Sequence, residues 1–389
     1  MTTDQLEYAE SRGDEIDTLN ALLEQALVFA VGGMAIWTDM LGHEHTRVVR
    51  RQGQVVAGLA VIPFGHYFGG NVVRAGGVTA VGVRPDQRGS GVGLFMIRQM
   101  LAEQRTAGVP IATLYPATTA FYRKAGFERA ANRLIYEMPL AAIGVRDYTL
   151  DAAPVQPGDY SVIKQLYARR AAQTNGFMDR PDFYWRRILE QPEKPTYTFV
   201  ATRGGVAEGY VIFGHAVWGE PLAVRDLVAL TPEAGRRLLT ILADHRSVID
   251  TVRFPAAPND PLLFLMPEQN PTIHRSFDLM LRILDVPAAL TARGYTIGVT
   301  AEIHLEVTDD LFAQNNQRFV LQVADGRGTV EPGGRGSFKL SIRDLAALYT
   351  GYYTPGELCL ASAISADEAS LAAAALIFGG ARPWLPDMF

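Results

Sequence analysis

A single cysteine, Cys359, stands in 389 residues, so no intrachain disulfide can form and no cysteine-based metal site is available. The seven histidines, at positions 43, 45, 66, 215, 245, 274 and 304, show none of the paired spacings of a zinc site, and no metal is expected. His43 and His45 flank Glu44 in a stretch that reads as surface loop. Long apolar runs are missing too: Ala26 to Trp37 and Leu371 to Gly380 are both too short to span a bilayer. The N-terminus carries Asp4, Glu7, Glu10 and Asp14 and no apolar core of signal type, which predicts a soluble, cytoplasmic protein without a membrane partner. Charge of one sign is scarce as well. Thirty-six Lys and Arg against 41 Asp and Glu leave −5, which argues against a broad nucleic-acid-binding surface.

Glycine in a particular place is what the chain does have. An apolar strand, Thr79 to Val83, runs into a turn bearing Arg88, Gly89, Ser90, Gly91 and Gly93, and a helical run from Leu94 to Leu101 follows at once. Strand, glycine loop and helix in that order make an anion cradle. Glycines let the main chain approach a ligand and point N–H groups inward, and the helix N-terminus adds partial positive charge. The loop lacks the Gly-Lys-Ser/Thr of a P-loop and the G-x-G-x-x-G spacing of a dinucleotide site. Its pattern, Arg88-x-x-Gly91-x-Gly93, resembles the acetyl-CoA pyrophosphate loop of the GNAT N-acetyltransferases. A second segment agrees. Phe121-Tyr122-Arg123-Lys124-Ala125-Gly126-Phe127 is similar to the F-Y-x-K-x-G-F stretch of GNAT domains, and Gly126 is expected to close its helix in a left-handed conformation.

The length suits two or three domains, and the pattern divides near residues 147 and 287. Residues 1–147 read as a helix (Asp14 to Phe29), strands at Arg47–Arg51, Gln54–Pro63 and Asn71–Val83, the loop and helix above, a short strand Ile111–Leu114, a helix from Ala117 to Lys124 and a last strand Asn132–Leu140. Residues 148–286 repeat the outline with helix Tyr160–Gln173 and strands Thr196–Thr202, Ala207–His215 and Ala223–Leu230. Only Gly235 remains of the loop there, and Glu233 stands where a phosphate would sit, which marks a degenerate copy that does not bind CoA. Residues 287–389 alternate with period two at Val299–Thr308, Phe319–Val323 and Phe338–Ile342, and helices are expected at Ile342–Thr350 and Asp367–Phe378, an α+β arrangement. Cys359 lies in a run that reads as an apolar strand and is expected in the core.

The C-terminus ends Trp384-Leu385-Pro386-Asp387-Met388-Phe389. Its prolines exclude a helix and its apolar side chains gain by burial, so the tail either packs on its own domain or carries its carboxylate into an active site. Asp387 reads as a rim or solvated charge. The whole chain resembles the enhanced intracellular survival (Eis) family: an active GNAT domain, a degenerate GNAT domain and a sterol-carrier-like C-terminal domain, an α/β (α+β) fold. The resemblance implies acetyl-CoA as co-substrate, a small-molecule amine as acceptor, aminoglycosides among the family's substrates, and a homo-oligomer, the hexamer. It makes the Phe389 carboxylate the general base and Tyr122 the general acid, with Tyr115 at the preceding strand end as the rival acid. Met388 stands where aminoglycoside-acetylating relatives have an acidic residue, which counts against a strongly polycationic acceptor.

Within that reading, Val81, Gly82 and Val83 offer a strand edge to the pantetheine arm, and an N–H near Val83 polarises the thioester carbonyl. Arg88, Gly89, Ser90, Gly91, Val92, Gly93 and Leu94 hold the pyrophosphate. Ala117 and Thr118 lie at the next helix start, where the family contacts CoA, and Trp37 is a candidate for the acceptor pocket or for the core. Two other readings remain: acetylation of a lysine on a protein, and a non-catalytic lipid-binding module built on the C-terminal domain.

Overall fold

The computed structural model describes residues 6–190, 195–215, 219–362 and 364–389, so Asp4 of the N-terminal acids lies outside the described residues. The first domain supplies β1 (Leu6–Glu10), β2 (Thr46–Arg51), β3 (Gln54–Phe68), β4 (Asn71–Val83), β5 (Ile111–Leu114) and β6 (Glu128–Pro139). The second supplies β7 (Asp151–Pro154), β8 (Met178–Asp179), β9 (Thr196–Arg203), β10 (Val206–Gly214), β11 (Leu222–Ala229), β12 (Thr251–Ala256) and β13 (Thr272–Ile283). The hairpin between β2 and β3 turns on Gln52 and Gly53, with φ of +52° and +76°, the paired positive values that match a two-residue turn to strand twist. Gly69 and Gly70, at +57° and +86°, do the same between β3 and β4. Val55 to Ile62 is a continuous buried run because β3 is covered on both faces.

These strands form one sheet in the order β1-β2-β3-β4-β5-β13-β6-β12-β11-β10-β9-β7, with β8 pairing β3 off that path. The two domains exchange their last strands. β13, from the second domain, pairs antiparallel with β5 (Met280↔Leu114) and takes the place beside it. β6, from the first, then lies between β13 (Phe277↔Arg133) and β12 (Phe254↔Tyr136). The first half of β13 is exposed and Leu279 to Ile283 are buried, so the inserted half is its apolar end.

The third domain is a five-stranded sheet in the order Arg327–Pro332, Arg318–Ala324, Ala301–Thr308, Phe338–Ser341, Ser365–Ala366. Ile303, Leu305, Val307, Phe319, Leu321 and Val323 face its core, as their alternation requires. Phe68, Val73 and Ile111 of the first domain belong to the same apolar cluster, so the third domain is packed against the back of the long sheet. Its helix Ile342–Thr350 begins with a Ser341/Asp344 capping box, and Asp367 caps helix Glu368–Phe378.

Cys359 is not in a core strand. It lies on the exposed face of helix Pro355–Ala361. Thr354-Pro355-Gly356-Glu357 is a capping box with proline at the first helical position, and that local signal overrides the apolar run that follows. Among the described residues no helix is long and apolar enough to cross a membrane.

Candidate active site

The cleft begins where two parallel strands part. β4 pairs with β5 from Ala75↔Ile111 to Val78↔Leu114 and no further. Directly after this, β4 bulges against β3: Ala60 faces Thr79 but Gly58 faces Gly82, one residue too many on β4. Ala80, at φ +50°, absorbs the distortion. Val81 lies in the bulge, Gly82 and Val83 pair with Gly58 and Ala57 of β3 on one side, and none of the three has a β5 partner on the other. Such an edge presents main-chain N–H and C=O groups to a ligand.

Beyond Val83, a single turn Pro85–Gln87 leads to helix Val92–Thr106. The turn is held by Arg84, bonded to Asp86 at 2.6 Å, and by the Ser90 hydroxyl, which donates to the Gln87 carbonyl at 2.6 Å. Gly91 is the helix N-cap at φ +87°, and no side chain caps the helix. Its first N–H groups are thus left for a ligand, in a helix long enough to carry a dipole. Gly89 and Gly91 face open space, whereas a Cβ at Gly93 would press on Phe121 and Val83 at 3.2–3.3 Å. The Arg88 guanidinium is exposed beside the loop, with Nε 3.4 Å from the Val83 carbonyl. The residues present fit an anionic, extended donor such as acetyl-CoA. Thr118 is the N-cap of helix Thr119–Arg123, likewise without a side-chain cap, and Ala117 precedes it. Gly126 takes φ +83°, as expected at that helix end.

Tyr122 is buried in the first domain's core cluster, where Val81, Val83, Leu94 and Phe121 pack, and burial pushes its phenol up to about 12. Its hydroxyl makes no hydrogen bond to a described residue.

The C-terminal tail does not fold back on its own domain. It crosses between the first and second. Trp384 stacks edge-on against Phe177 at 5.0 Å, and Leu385 N–H donates to the Asn132 carbonyl. Arg133 donates to the Pro386 carbonyl at 2.7 Å, and the Tyr184 hydroxyl to the Met388 carbonyl at 2.9 Å. Phe389 then packs against Phe64, Tyr115 and His66, with ring centroids 4.9, 5.4 and 6.4 Å away. Its ring also rests on β4. A Cβ built at Gly77 would lie 3.2 Å from Phe389 and 2.1 Å from Phe64. The last residue of the chain thus meets β4 at Gly77, just before the bulge that opens the cleft. Trp37 is half-buried and joins this aromatic cluster to the core of the first helix.

Asp387 is neither a rim charge nor a solvated one. It is 3% exposed. Arg180, itself fully buried, bonds it through Nε at 3.0 Å and bonds Asp226 through Nη1 at 2.5 Å. The Tyr167 hydroxyl reaches Asp387 at 3.2 Å, and the Tyr210 hydroxyl donates to Asp226 at 2.6 Å. Burial pushes the Asp387 carboxyl up, and Arg180 opposes it. Sequence reading missed this cluster because its members come from positions 167 to 387 and only folding unites them. His66 was missed likewise. Wholly buried, it donates from Nδ1 to the Gly176 carbonyl at 2.9 Å and accepts at Nε2 from the Thr113 hydroxyl at 3.0 Å. Burial lowers it to about 4, so it is neutral. Tyr115, the rival acid, donates its proton to the Asp387 carbonyl at 2.5 Å, and burial raises it well above its ordinary value. That bond gives it a task in holding the tail.

The second domain shows the same strand geometry with the phosphate end closed. β11 pairs with β12 only at Leu222↔Val252 and Ala223↔Arg253, then bulges at Arg225. Only Leu230 and Thr231 join β11 to helix Pro232–Ala243. Thr231 caps that helix, and Glu233 is paired with Arg203 and Arg236. The Thr231 hydroxyl takes the Ala234 N–H, Pro232 has none to offer, and the Glu233 carboxylate opposes an anion there.

Residues 7–130 and 176–283 each match an acetyltransferase (GNAT) domain family, and residues 286–386 a sterol carrier protein domain family. An uncharacterized N-acetyltransferase of Streptomyces griseus is 30% identical over 376 residues, covering 87% of this chain and 89% of that protein. The N-acetyltransferase Eis of Mycobacterium tuberculosis is 26% identical over 325 residues, covering 77% of this chain and 76% of that protein. The crystal structure of a GCN5-related N-acetyltransferase from Anabaena variabilis superposes with a TM-score of 0.95 at 37% identity, over 99% of this chain and 100% of that one.

Proposed function

Because the chain belongs to the Eis family of GNAT N-acetyltransferases, with two GNAT domains and a sterol-carrier domain, we propose that it transfers the acetyl group of acetyl-CoA to an amine of a small molecule. The observation that carries this reading is the tail's course, which brings Phe389 onto β4 at the head of an open strand edge. On this reading residues 1–147 are catalytic, 148–286 are architectural, and 287–389 deliver the tail.

Val81 to Val83 align the pantetheine arm, and the loop from Arg88 to Leu94, with Ala117 and Thr118, holds the rest of the donor. The Phe389 carboxylate takes the proton from the attacking amine. An α-carboxyl has an ordinary value of about 3.3–3.7, so position and desolvation must supply its basicity. Tyr122 gives its proton to the departing thiolate. It is protonated at any working pH, and its apolar surroundings penalise the phenolate, so proximity has to lower the barrier. A hollow of about 210 Å³ beside Met388 is walled by Arg133, Arg187 and Arg225. These cations, with Met388 itself, favour an acceptor of low positive charge over an aminoglycoside.

The test is a C-terminal extension. A chain prolonged beyond Phe389 is expected to lose turnover by orders of magnitude and to keep its affinity for CoA, while Tyr122→Phe lowers the rate by roughly 10²–10⁴ with the same affinity. Full turnover in the prolonged chain would sink the assignment of the base.

A further inference from the structure

The second domain's cleft is open even though its phosphate end is closed. It encloses about 620 Å³, a volume within the roughly 300–1,000 Å³ of small-molecule sites. Its walls match the first cleft feature by feature. Parallel pairing stops at Ala223↔Arg253 as it stops at Val78↔Leu114, a bulge follows at Arg225 as at Ala80, and the strand continues with its antiparallel neighbour on one side and no parallel partner on the other. Leu227 and Ala229, on the stretch with no β12 partner, line the cavity together with Leu262, Leu265 and Trp384. The missing half is the phosphate half. The turn from Arg84 to Gly91 is reduced to Leu230 and Thr231, the helix start is capped from within, and Glu233 would repel an anion.

We propose that this cleft is a second small-molecule site, for an extended amide chain with an apolar acyl end and no phosphate, an acyl-pantetheine type of ligand. The strand edge beyond Arg225 pairs with the ligand's amides, as a strand edge pairs with any extended peptide-like chain. The leucines and Trp384 take the acyl end, and the helix terminus that would hold a pyrophosphate rejects it. The site is independent of acetyl transfer in the first domain and does not rest on that reading.

The test uses the full chain carrying 5-fluorotryptophan, with the Trp384 resonance identified by Trp384→Phe. The first cleft is saturated with CoA, and S-octanoyl-pantetheine is then titrated while the fluorine spectrum is recorded. The Trp384 resonance is expected to shift saturably, with at least tenfold weaker apparent affinity in Ala229→Phe, which fills the cleft. Leu262→Lys, at a half-buried wall position outside the strand, is expected to weaken it equally, so misfolding of one variant does not decide the result. A Trp384 resonance that stays put, or shifts equally in both variants when folded, would overturn the proposal. So would a shift driven as strongly by excess CoA, since the phosphate end would then be open. A concentration-dependent shift without ligand would assign the face to self-association and overturn it likewise.

Discussion

The Tyr115 hydroxyl donates to the main-chain carbonyl of Asp387 at 2.5 Å, so the residue just after β5 holds the third-last residue of the chain. The bond joins first domain to third at the point where the parallel strands part. Tyr115→Phe removes the bond and leaves a buried carbonyl unsatisfied, a loss of about 1–3 kcal/mol at that point. The expected result is a folded protein with kcat lowered about tenfold or more and an unchanged affinity for CoA, read by steady-state kinetics beside direct CoA titration. If Tyr115 were the acid, Tyr115→Phe would lower the rate by the roughly 10²–10⁴ expected for loss of the acid, and Tyr122→Phe would leave it intact.

Arg180 stands between two buried carboxylates, and its removal leaves Asp226 and Asp387 without their cation. Breaking a buried pair this way costs about 3–5 kcal/mol. Arg180→Met is expected to lower the melting temperature sharply and to reduce turnover, because the tail loses its deepest anchor. Adding Asp387→Asn to Arg180→Met should recover part of the stability, since one of the stranded charges is gone. Additive losses in calorimetry would show that the two residues do not act as a unit.

Gly91 begins the long helix at φ +87° with open space where a Cβ would be. Gly91→Ala meets no clash, so what it costs is the left-handed conformation, about 1–2 kcal/mol. Relief of that strain reshapes the loop. The expected outcome is a KM for acetyl-CoA raised roughly tenfold with kcat at saturation nearly unchanged. An unaltered KM would detach the loop from donor binding.

His66 is neutral in the fold at about 4, below its ordinary 6.5, because burial penalises the imidazolium. A depressed value means that its contribution is complete above pH 6.5 and is withdrawn as pH falls through 4. The span corresponds to about 3 kcal/mol. His66→Gln preserves a donor toward Gly176 and an acceptor toward Thr113 and does not titrate. Its melting temperature should fall less steeply than the parent's between pH 6.5 and 4. Parallel curves would mean that His66 titrates normally and is not held neutral.

The three-domain plan was legible because it is written locally. The strand before Val83, the glycines at 89 and 91, and the left-handed Gly126 are short-range signals, each with a backbone reason. The alternation of Ile303, Leu305 and Val307 is equally local. Cys359 shows where such reading fails even at short range: apolar neighbours suggested a strand, and a capping box made a helix. Helices Gly33–Leu41, Asp182–Leu189, Pro261–Phe264 and Val286–Ala292 went unread because each is short and lacks a long apolar period.

By itself the sequence determined that a strand, a glycine loop and an uncapped helix stand in register in residues 79–101, and that the second copy lost this loop while keeping its strands. Folding alone decided that β13 and β6 change places between domains, that Asp387 is buried against Arg180, and that Phe389 ends on Gly77. The reason is physical. A turn is set by the φ and ψ of a few neighbouring residues, and those preferences are carried by residue type. An exchanged strand or a buried ion cluster is set by which surfaces pack, and partners as distant as Tyr167 and Asp387, 220 positions apart, leave no mark on one another until the chain is compact.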